Sequence, residues 1–498
     1  MNSDKINKKL MKKIAVIFII NLLFCFASFA QVENSAKTIK KIKTYLTELE
    51  KVGFSGSVLV EINGKVAISK GYGFSDKANL IKNKPSTVLC IGSITKQFTA
   101  TAILKLEMQG KLSTDDKITK YFDNVPIDKS NITIHDLLRH QSGLPSNVGK
   151  DYDKISQAEF LDKVMNSKLL FEVGKEFSYS NIGYSLLGMI IEKTSGKTYE
   201  TYLYDNLWKP AQMEMTGYSR PMFDKSKIAI GYYKDDKIWG KPTDKEWDKT
   251  APYWHLKANG GVLSTTEDMY KWHKALKGEN ILSKDAKNKL YHPKIRTEEN
   301  YNEPIYGYGW DVAPTNRNTK RYWHNGSNNI FFADFMIYID EDVTLIMLSN
   351  KSHQTNFDKL NFELSKMIFE KNYKPIIPIA DNETNQKYSQ NMIEIILSKG
   401  IEVGKEIHKK RPANTNILEY ILNAKGYDFL SQKNYDKAID LFIMNIFAFP
   451  KSANGFDSLG EAYMNKGDKT LAIKNYEKSL ELNPNNGNAK EMLLELRR

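Results

Sequence analysis

The strongest constraint on the fold is that β-rich segments flank a long, mainly helical stretch of the chain. Residues 54–76, FSGSVLVEINGKVAISKGYGFSD, contain two β-rich runs joined by Asn63-Gly64, a strong hairpin signal. Three more runs, RYWHNG, NIFFADFMIYI and VTLIMLSN, lie between residues 321 and 350, with a turn at Asp340 to Asp342. Because residues 130–275 look helical, we expect an α/β sandwich: an antiparallel sheet assembled from distant segments, flanked by helices and joined to a helical lobe.

An apolar helix is predicted directly after the first strands. Its sequence is SITKQFTATAILKLEMQ, from Ser93 to Gln109, and Gly110 ends it. Apolar residues leave this helix little polar face, which is typical of a helix buried on most sides. Its N-terminus is therefore expected to carry Ser93 into a site formed by the surrounding elements.

The C-terminal part of the chain repeats with a period of 34 residues. The matched positions are small, apolar, aromatic or proline: Gly426 and Gly460, Ala438 and Ala472, Ile439 and Ile473, Phe442 and Tyr476, Pro450 and Pro484. This period and pattern resemble two tetratricopeptide repeats over about residues 415–484, and a generic pair of helical hairpins is the alternative. Residues 486–496 can form a capping helix, and 384–410 can pack ahead of the repeats. A boundary near residues 371–386 predicts a first domain at 31–375 and an all-α domain at 376–498.

Residues 1–30 have the pattern of a secretory signal peptide. A basic segment, KKLMKK, precedes the apolar run IAVIFIINLLFCF, and ASFA places Ser28 and Ala30 before a cleavage site. The alternative is a membrane anchor, but the apolar run is short for a span of ~20 residues. We therefore expect a periplasmic or secreted protein with no stable membrane span after cleavage.

Composition and motif searches exclude several classes of function. The net charge is +13, but no basic run follows the first 13 residues, so nucleic-acid binding has little support. Beyond the predicted signal peptide only Cys90 remains, in an apolar setting, so it is expected to be buried. No H-E-x-x-H, P-loop or G-x-S-x-G pattern occurs, and we expect neither a metal nor another cofactor.

Three short motifs remain as candidates for chemistry. Ser93-Ile94-Thr95-Lys96 fits S-x-x-K, which places serine and lysine on one helical face. A poorly solvated lysine has a lowered pKa and accepts a proton more readily. Tyr179-Ser180-Asn181 precedes a second apolar helix, where Asn181 is a plausible cap. His324-Asn325-Gly326 enters a predicted strand whose edge can bind an extended acyl group, although an ordinary sheet histidine is the alternative.

In this order, the three motifs resemble the serine β-lactamase and penicillin-binding superfamily. The resemblance is to its class C branch, with its D-alanyl carboxypeptidases, D-amino-acid peptidases and esterases. Supporting stretches are ITIHDLLRHQSGLP at 132–145 and NGGVLSTTEDMYKW at 259–272, and the resemblance covers roughly residues 45–370.

The resemblance implies a role for each motif residue. Ser93 attacks a carbonyl and forms an acyl-enzyme, while Lys96 and Tyr179 transfer the proton as one unit whose internal order stays open. Backbone N–H groups of Ser93 and Ser327 form the oxyanion hole. Other expected binding residues are Asn181, His324 and Gly326. Class C β-lactamases carry K-T-G where this chain has His324-Asn325-Gly326, and a histidine is only partly charged at neutral pH.

The combined prediction is a secreted serine hydrolase that acts on an ester or on a D-amino-acid amide or peptide. A D-Ala-D-Ala carboxypeptidase or weak β-lactamase is the alternative enzyme. A catalytically degenerate partner-binding protein is the alternative of another class. The repeats offer a surface for a protein partner beside the small ester, peptide or β-lactam substrate.

Overall fold

The computed structural model describes residues 36–222, 224–233, 236–245, 247, 251–293, 304–351, 357–379, 383–412, 415–483 and 486–497. The predicted signal peptide, residues 1–30, lies outside the described residues. The chain divides into two compact units between Ile377 and Pro378. The domain limits expected from the sequence, 31–375 and 376–498, stay a prediction.

The first unit contains all the strands described. They are β1 Gly56–Ile62, β2 Lys65–Tyr72, β3 Phe74–Asp76, β4 Ile81–Lys82, β5 Leu89–Cys90, β6 Gly231–Tyr232, β7 Ile238–Gly240, β8 Leu263–Ser264, β9 Ile305–Tyr306, β10 Asp311–Pro314, β11 Lys320–Ser327, β12 Phe332–Tyr338 and β13 Val343–Ser349. Seven of the described strands form one antiparallel sheet in the order β2-β1-β13-β12-β11-β10-β9. The predicted sheet built from distant segments is confirmed.

Local sequence explains the sheet's turn and its register. Asn63 and Gly64 both have positive φ, 52° and 71°, as the tight turn between β1 and β2 requires. Strand β12 alternates between two cores: Phe335 packs in the core under the helical lobe, whereas Met336 packs in the core on the opposite face. A register slip of one residue would exchange these faces, so the two apolar cores fix the pairing.

Helices cover both faces of the sheet. Those of the first unit are α1 at 36–51, α2 Thr95–Met108, α3 Ile134–Leu138, α4 Gln157–Met165, α5 Asn181–Ser195, α6 Tyr199–Leu203, α7 Thr266–Lys277, α8 Lys284–Tyr291 and α9 Leu360–Phe369. Helices α1 and α9 pack on the outer face through Leu46 and Leu364. Helix α2 is buried between the sheet and the lobe, with Phe98 and Ile103 fully enclosed. This is the predicted α/β sandwich with a helical lobe.

The second unit is entirely helical in its described residues. Its helices are α10 Glu383–Lys399, α11 Ile401–Lys409, α12 Glu419–Ser431, α13 Tyr435–Ala448, α14 Ala453–Lys466, α15 Lys469–Leu482 and α16 Gly487–Leu496. The 34-residue period has a packing cause. A β-carbon on Gly426 would lie 2.4 Å from the Phe442 ring, and one on Gly460 would lie 3.1 Å from the Tyr476 ring. Each repeat thus uses a glycine to admit an aromatic ring from the next helix.

Candidate active site

Ser93 lies in a tight turn at the entrance to helix α2. The turn is a 3-10 helix, Gly92–Ile94, and the α-helix begins only at Thr95. The helix predicted from Ser93 is therefore wrong in its first turn. Gly92 has a positive φ of 51°, and a β-carbon there would lie 2.5 Å from the Ser327 nitrogen. The close approach of β11 thus requires glycine and shapes the turn, which leaves the Ser93 side chain partly exposed.

Lys96 lies beneath Ser93 and is fully buried. Its Nζ is 3.2 Å from Ser93 Oγ, as the i, i+3 spacing predicts. Two further bonds, of 2.8 Å each, go from Nζ to Asn181 Oδ1 and to the main-chain oxygen of Asn259. Burial holds the pKa of Lys96 well below its usual value, and the Asp151 carboxylate opposes this shift. The neutral amine is therefore favoured far more than in water, and it has a lone pair for a proton.

Tyr179 completes a cluster with Ser93 and Lys96. Lys96 Nζ lies 4.7 Å from the centroid of the Tyr179 ring. Burial raises the pKa of Tyr179, and hydrogen bonding with Ser93 opposes that rise. The phenol therefore keeps its proton at neutral pH, while the neighbouring lysine is shifted toward its neutral form.

Asn181 is the first residue of α5 and is not its cap. Ser180 has extended backbone angles, and its side chain accepts a hydrogen bond from the Gly183 N–H. The predicted cap at Asn181 is therefore wrong by one residue. The difference matters because Asn181 is free to accept from Lys96 and to donate from Nδ2 to Asn147, at 3.0 Å.

Strand β11 supplies the other wall of the site. A β-carbon on Gly326 would lie 2.6 Å from the Ser93 nitrogen and 2.1 Å from the Ile91 oxygen, so only glycine fits. Gly92 and Gly326 together bring the main chains at Ser93 and Ser327 side by side. The Ser327 side chain is exposed, and its Oγ accepts from the Asn329 N–H. Two main-chain N–H groups near one nucleophile are the arrangement that an oxyanion hole requires.

His324 lies behind this wall rather than open to solvent. It is 3% exposed, and both ring nitrogens have partners. Nε2 is 2.9 Å from the Tyr306 hydroxyl, and Nδ1 is 2.6 Å from the Asn325 carbonyl oxygen. Burial, with Lys96 nearby, lowers the pKa of His324 to about 3. The partial charge expected from an unperturbed histidine is thus absent at neutral pH.

Several neighbours of the site were not predicted from the sequence. Asn259 binds Lys96 through its carbonyl oxygen, and Tyr306 contacts His324. The ring centroids of His140 and Tyr179 lie 4.3 Å apart, and His140 Nδ1 accepts a hydrogen bond from the Ser180 N–H at 3.0 Å. The fourth, Asp151, is half-buried, and its charge acts on Lys96. For Asn259 and Tyr306 the sequence did carry a signal, the glycines of NGG at 259–261 and YGYGW at 306–310. Such glycines mark places where backbones approach closely.

Two known sequence profiles match parts of the chain. The sequence profile described as Beta-lactamase matches residues 42–366. The chain belongs to the Beta-lactamase family. Like the penicillin-binding proteins among its relatives, it is a serine hydrolase. A second profile, Tetratricopeptide repeat, matches residues 458–486.

Individual relatives of this hydrolase agree with that assignment. Penicillin-binding protein 4* of Bacillus subtilis (strain 168) is 30% identical over 336 residues, which cover 64% of this chain and 73% of the relative. The octameric penicillin-binding protein homologue from Pyrococcus abyssi superposes with a TM-score of 0.57 at 26% identity, covering 72% of this chain and 82% of the other. D-amino acid amidase from Ochrobactrum anthropi SV3 shares the fold, with a TM-score of 0.56 at 23% identity, covering 67% and 98%.

Two classes of feature are absent from the described part of the chain. No helix there is long and apolar enough to cross a membrane. No three His, Cys, Asp or Glu side chains gather there in a way that would hold a metal ion. Cys90 is buried, as its apolar setting predicts, and burial raises the pKa of its thiol to about 11.

Proposed function

We propose that the protein is a secreted hydrolase in which Ser93 forms an acyl-enzyme with an ester or a D-amino-acid amide. The observation that carries the proposal is the position of Lys96 Nζ. Three oxygens lie within hydrogen-bond distance of Nζ. Asn181 Oδ1 and the Asn259 carbonyl oxygen can only accept, and the third oxygen is Ser93 Oγ. A neutral amine held in this way donates twice and keeps its lone pair for the serine proton.

Acylation starts with proton transfer from Ser93 to Lys96 as Oγ attacks the substrate carbonyl carbon. The carbonyl π electrons move to oxygen, which the N–H groups of Ser93 and Ser327 stabilise at about 3 kcal/mol per donor. The intermediate then expels the alcohol or amine, which takes a proton from the Tyr179 phenol. The proton held on Lys96 restores that phenol, so the pair ends the step as it began.

Deacylation repeats these steps with water. The neutral Lys96 amine takes a proton from water through the same cluster, and the hydroxide oxygen attacks the acyl carbon. Ser93 leaves with a proton and the carboxylic acid is released. The same oxyanion donors serve both halves, because the charge develops on the same carbonyl oxygen.

Asp151 favours a D-amino-acid amide over a simple ester as the substrate. It has no hydrogen bond or ion pair among the described residues, yet its charge acts on Lys96 and Tyr152. Its loop is tied down on both sides: Asn147 accepts from Asn181 at 3.0 Å, and Tyr152 accepts from Asn328 at 3.1 Å. A half-buried carboxylate at the site suits the free ammonium of an amino-acid amide. One relative by fold is named as a D-amino acid amidase.

The neutral His324 weighs against the alternative enzyme. β-Lactams and D-Ala-D-Ala peptides carry a carboxylate, for which an ammonium at this position of the strand would be the partner. A buried histidine with a pKa of about 3 supplies no such cation. We therefore expect carboxypeptidase and β-lactamase activities to be weak.

The repeat unit adds a partner-binding role to the proposal. Helices α12 to α15 form two hairpins of the kind that present a concave surface to a protein. An entirely degenerate, partner-binding protein is disfavoured, because the serine, lysine and tyrosine are together in one cluster. Secretion rests on the predicted signal peptide at residues 1–30.

Steady-state hydrolysis tests the proposal. The substrates are p-nitrophenyl acetate, D-alanine p-nitroanilide, L-alanine p-nitroanilide and a chromogenic cephalosporin. We expect turnover of the acetate and of the D-anilide, which Ser93→Ala abolishes. Ser130→Ala is the matched control, because its hydroxyl bonds the Ile127 carbonyl on a turn outside the site. Full activity in Ser93→Ala would reject the mechanism, and faster cephalosporin hydrolysis would reject the substrate class.

A further inference from the structure

The pairing of Tyr306 with His324 fixes the chemical form of the histidine. The Asn325 carbonyl oxygen lies 2.6 Å from Nδ1 and can only accept, so Nδ1 carries the proton. In a neutral ring Nε2 then holds the lone pair. The Tyr306 hydroxyl, 2.9 Å away, therefore donates to Nε2. Both partners are buried, at 6% and 3% exposure, so water does not compete for these bonds.

Tyr306 is itself held firmly. Its carbonyl oxygen accepts from Arg139 Nε at 3.0 Å, and Arg139 is buried. Its ring centroid lies 4.6 Å from that of His140 and 6.2 Å from that of Tyr179. The hydroxyl is thus directed at His324 by packing on several sides.

The pairing of Tyr306 with His324 affects the segment of β11 that lies beside the nucleophile. His324 precedes Gly326 and Ser327, the segment beside the nucleophile, on the same strand. In the class C enzymes that the chain resembles, a lysine ammonium occupies the position of His324. Here the ring has no charge, its Nδ1–H points to Asn325, and its Nε2 is occupied. It has no hydrogen left to offer a substrate carboxylate.

We propose that Tyr306 is a positioning residue that sets substrate selectivity: its hydroxyl occupies His324 Nε2, so the site does not recognise a carboxylate in the leaving group. The proposal rests on the proposed function, because it concerns selectivity within that reaction. Lys96, His140 and Tyr179 are the charged and titratable groups near His324, and Tyr179, Tyr184 and Asp311 are those that act on Tyr306. Burial acts against a positive charge on the His324 ring, and the Tyr306 hydroxyl stabilises its neutral form.

Tyr306→Phe removes the hydroxyl and keeps the ring. Nε2 then loses its donor and becomes free to take a proton, so the imidazolium forms at higher pH than in the native protein. Tyr308→Phe is the matched control. Tyr308 lies two residues away and its hydroxyl contacts another histidine, His135 Nδ1, at 2.6 Å. That variant loses an equivalent bond without touching His324.

The first readout compares phenyl acetate with 3-carboxyphenyl acetate, whose leaving group carries the carboxylate. We measure the ratio of their kcat/KM values from pH 5 to pH 8, so that effects on the shared proton-transfer groups cancel. The native protein and Tyr308→Phe should show a flat ratio. In Tyr306→Phe the ratio should rise about tenfold toward pH 5, mostly through KM, as one charged hydrogen bond forms. A flat ratio in Tyr306→Phe overturns the proposal.

The second readout requires no catalysis. NMR of protein labelled with ¹⁵N in histidine, assigned with His324→Gln, follows the ring nitrogens over the same pH range. Native His324 should keep an unprotonated Nε2 throughout, and Tyr306→Phe should protonate at higher pH. Titration of native His324 above pH 5 overturns the proposal even if the variant does not fold. If neither ester is hydrolysed the proposed function fails, and the spectra still test the role of Tyr306.

Discussion

Gly326→Ala tests the contact between strand β11 and the nucleophile turn. An added β-carbon would lie 2.1 Å from the Ile91 oxygen and 2.6 Å from the Ser93 nitrogen. Carbon and oxygen make ordinary contact near ~3.4 Å, so strand and turn must separate by more than about 1 Å. Oxyanion donors act over about 2.7–3.1 Å, and this displacement breaks at least one of the two bonds. We expect kcat to fall by about 10²–10³, the loss measured for one such donor.

The assay is steady-state hydrolysis of p-nitrophenyl acetate, with circular dichroism and thermal melting to show that the variant is folded. Gly278→Ala is the control, because the nearest atoms to a β-carbon there lie 3.7 and 3.9 Å away and its φ is −76°. It should keep native turnover. A folded Gly326→Ala variant with kcat within threefold of native would refute the assignment of the oxyanion hole.

Three further predictions follow from the site and the core. Lys96→Ala and Tyr179→Phe should each lower the acylation rate, measured by stopped-flow kinetics, by several orders of magnitude. The double variant should be little slower than either single variant, because the two groups act as one unit. Losses that multiply in the double variant would mean that the two residues act independently. Burial would raise the pKa of Glu61, but hydrogen bonds from His273 and two hydroxyls lower it to about 2 from 4.5. The Glu61 carboxylate thus adds about 3 kcal/mol to the free energy of unfolding above pH 4.5, and this contribution is lost as the pH falls toward 2. Urea denaturation should show this rise of the unfolding free energy with pH in the native protein and not in Glu61→Gln. An equal dependence on pH in the two proteins would contradict the prediction. A chain ending at Ile377 should fold and keep its esterase activity, and loss of activity in a folded chain would mean that the repeats help to build the site.

Local patterns were the features that sequence could predict. The i, i+3 spacing of Ser93 and Lys96 fixes their contact within one turn of chain. The Asn63-Gly64 turn fixes the first hairpin, and the 34-residue period fixes which helices pack together. Each depends on residues close in sequence or on a repeated spacing, so no knowledge of distant contacts is needed.

Long-range contacts explain what the sequence did not reveal. Asn259 lies 163 positions from Lys96, and it binds through its main chain, which no side-chain motif records. The uncharged state of His324 follows from burial under residues of other segments. The helix start was misplaced because Gly92 is forced into a tight turn by β11, a strand that arrives more than two hundred residues later.

Mapping a covalent adduct shows directly whether Ser93 is the nucleophile. The full-length protein is treated with a fluorophosphonate, digested, and its peptides are sequenced by mass spectrometry. We expect one stoichiometric phosphonate on Ser93, in the peptide that contains GSITK, and none in Ser93→Ala. Equal labelling of the Ser93→Ala protein, or an adduct on another serine of the native protein, would contradict it.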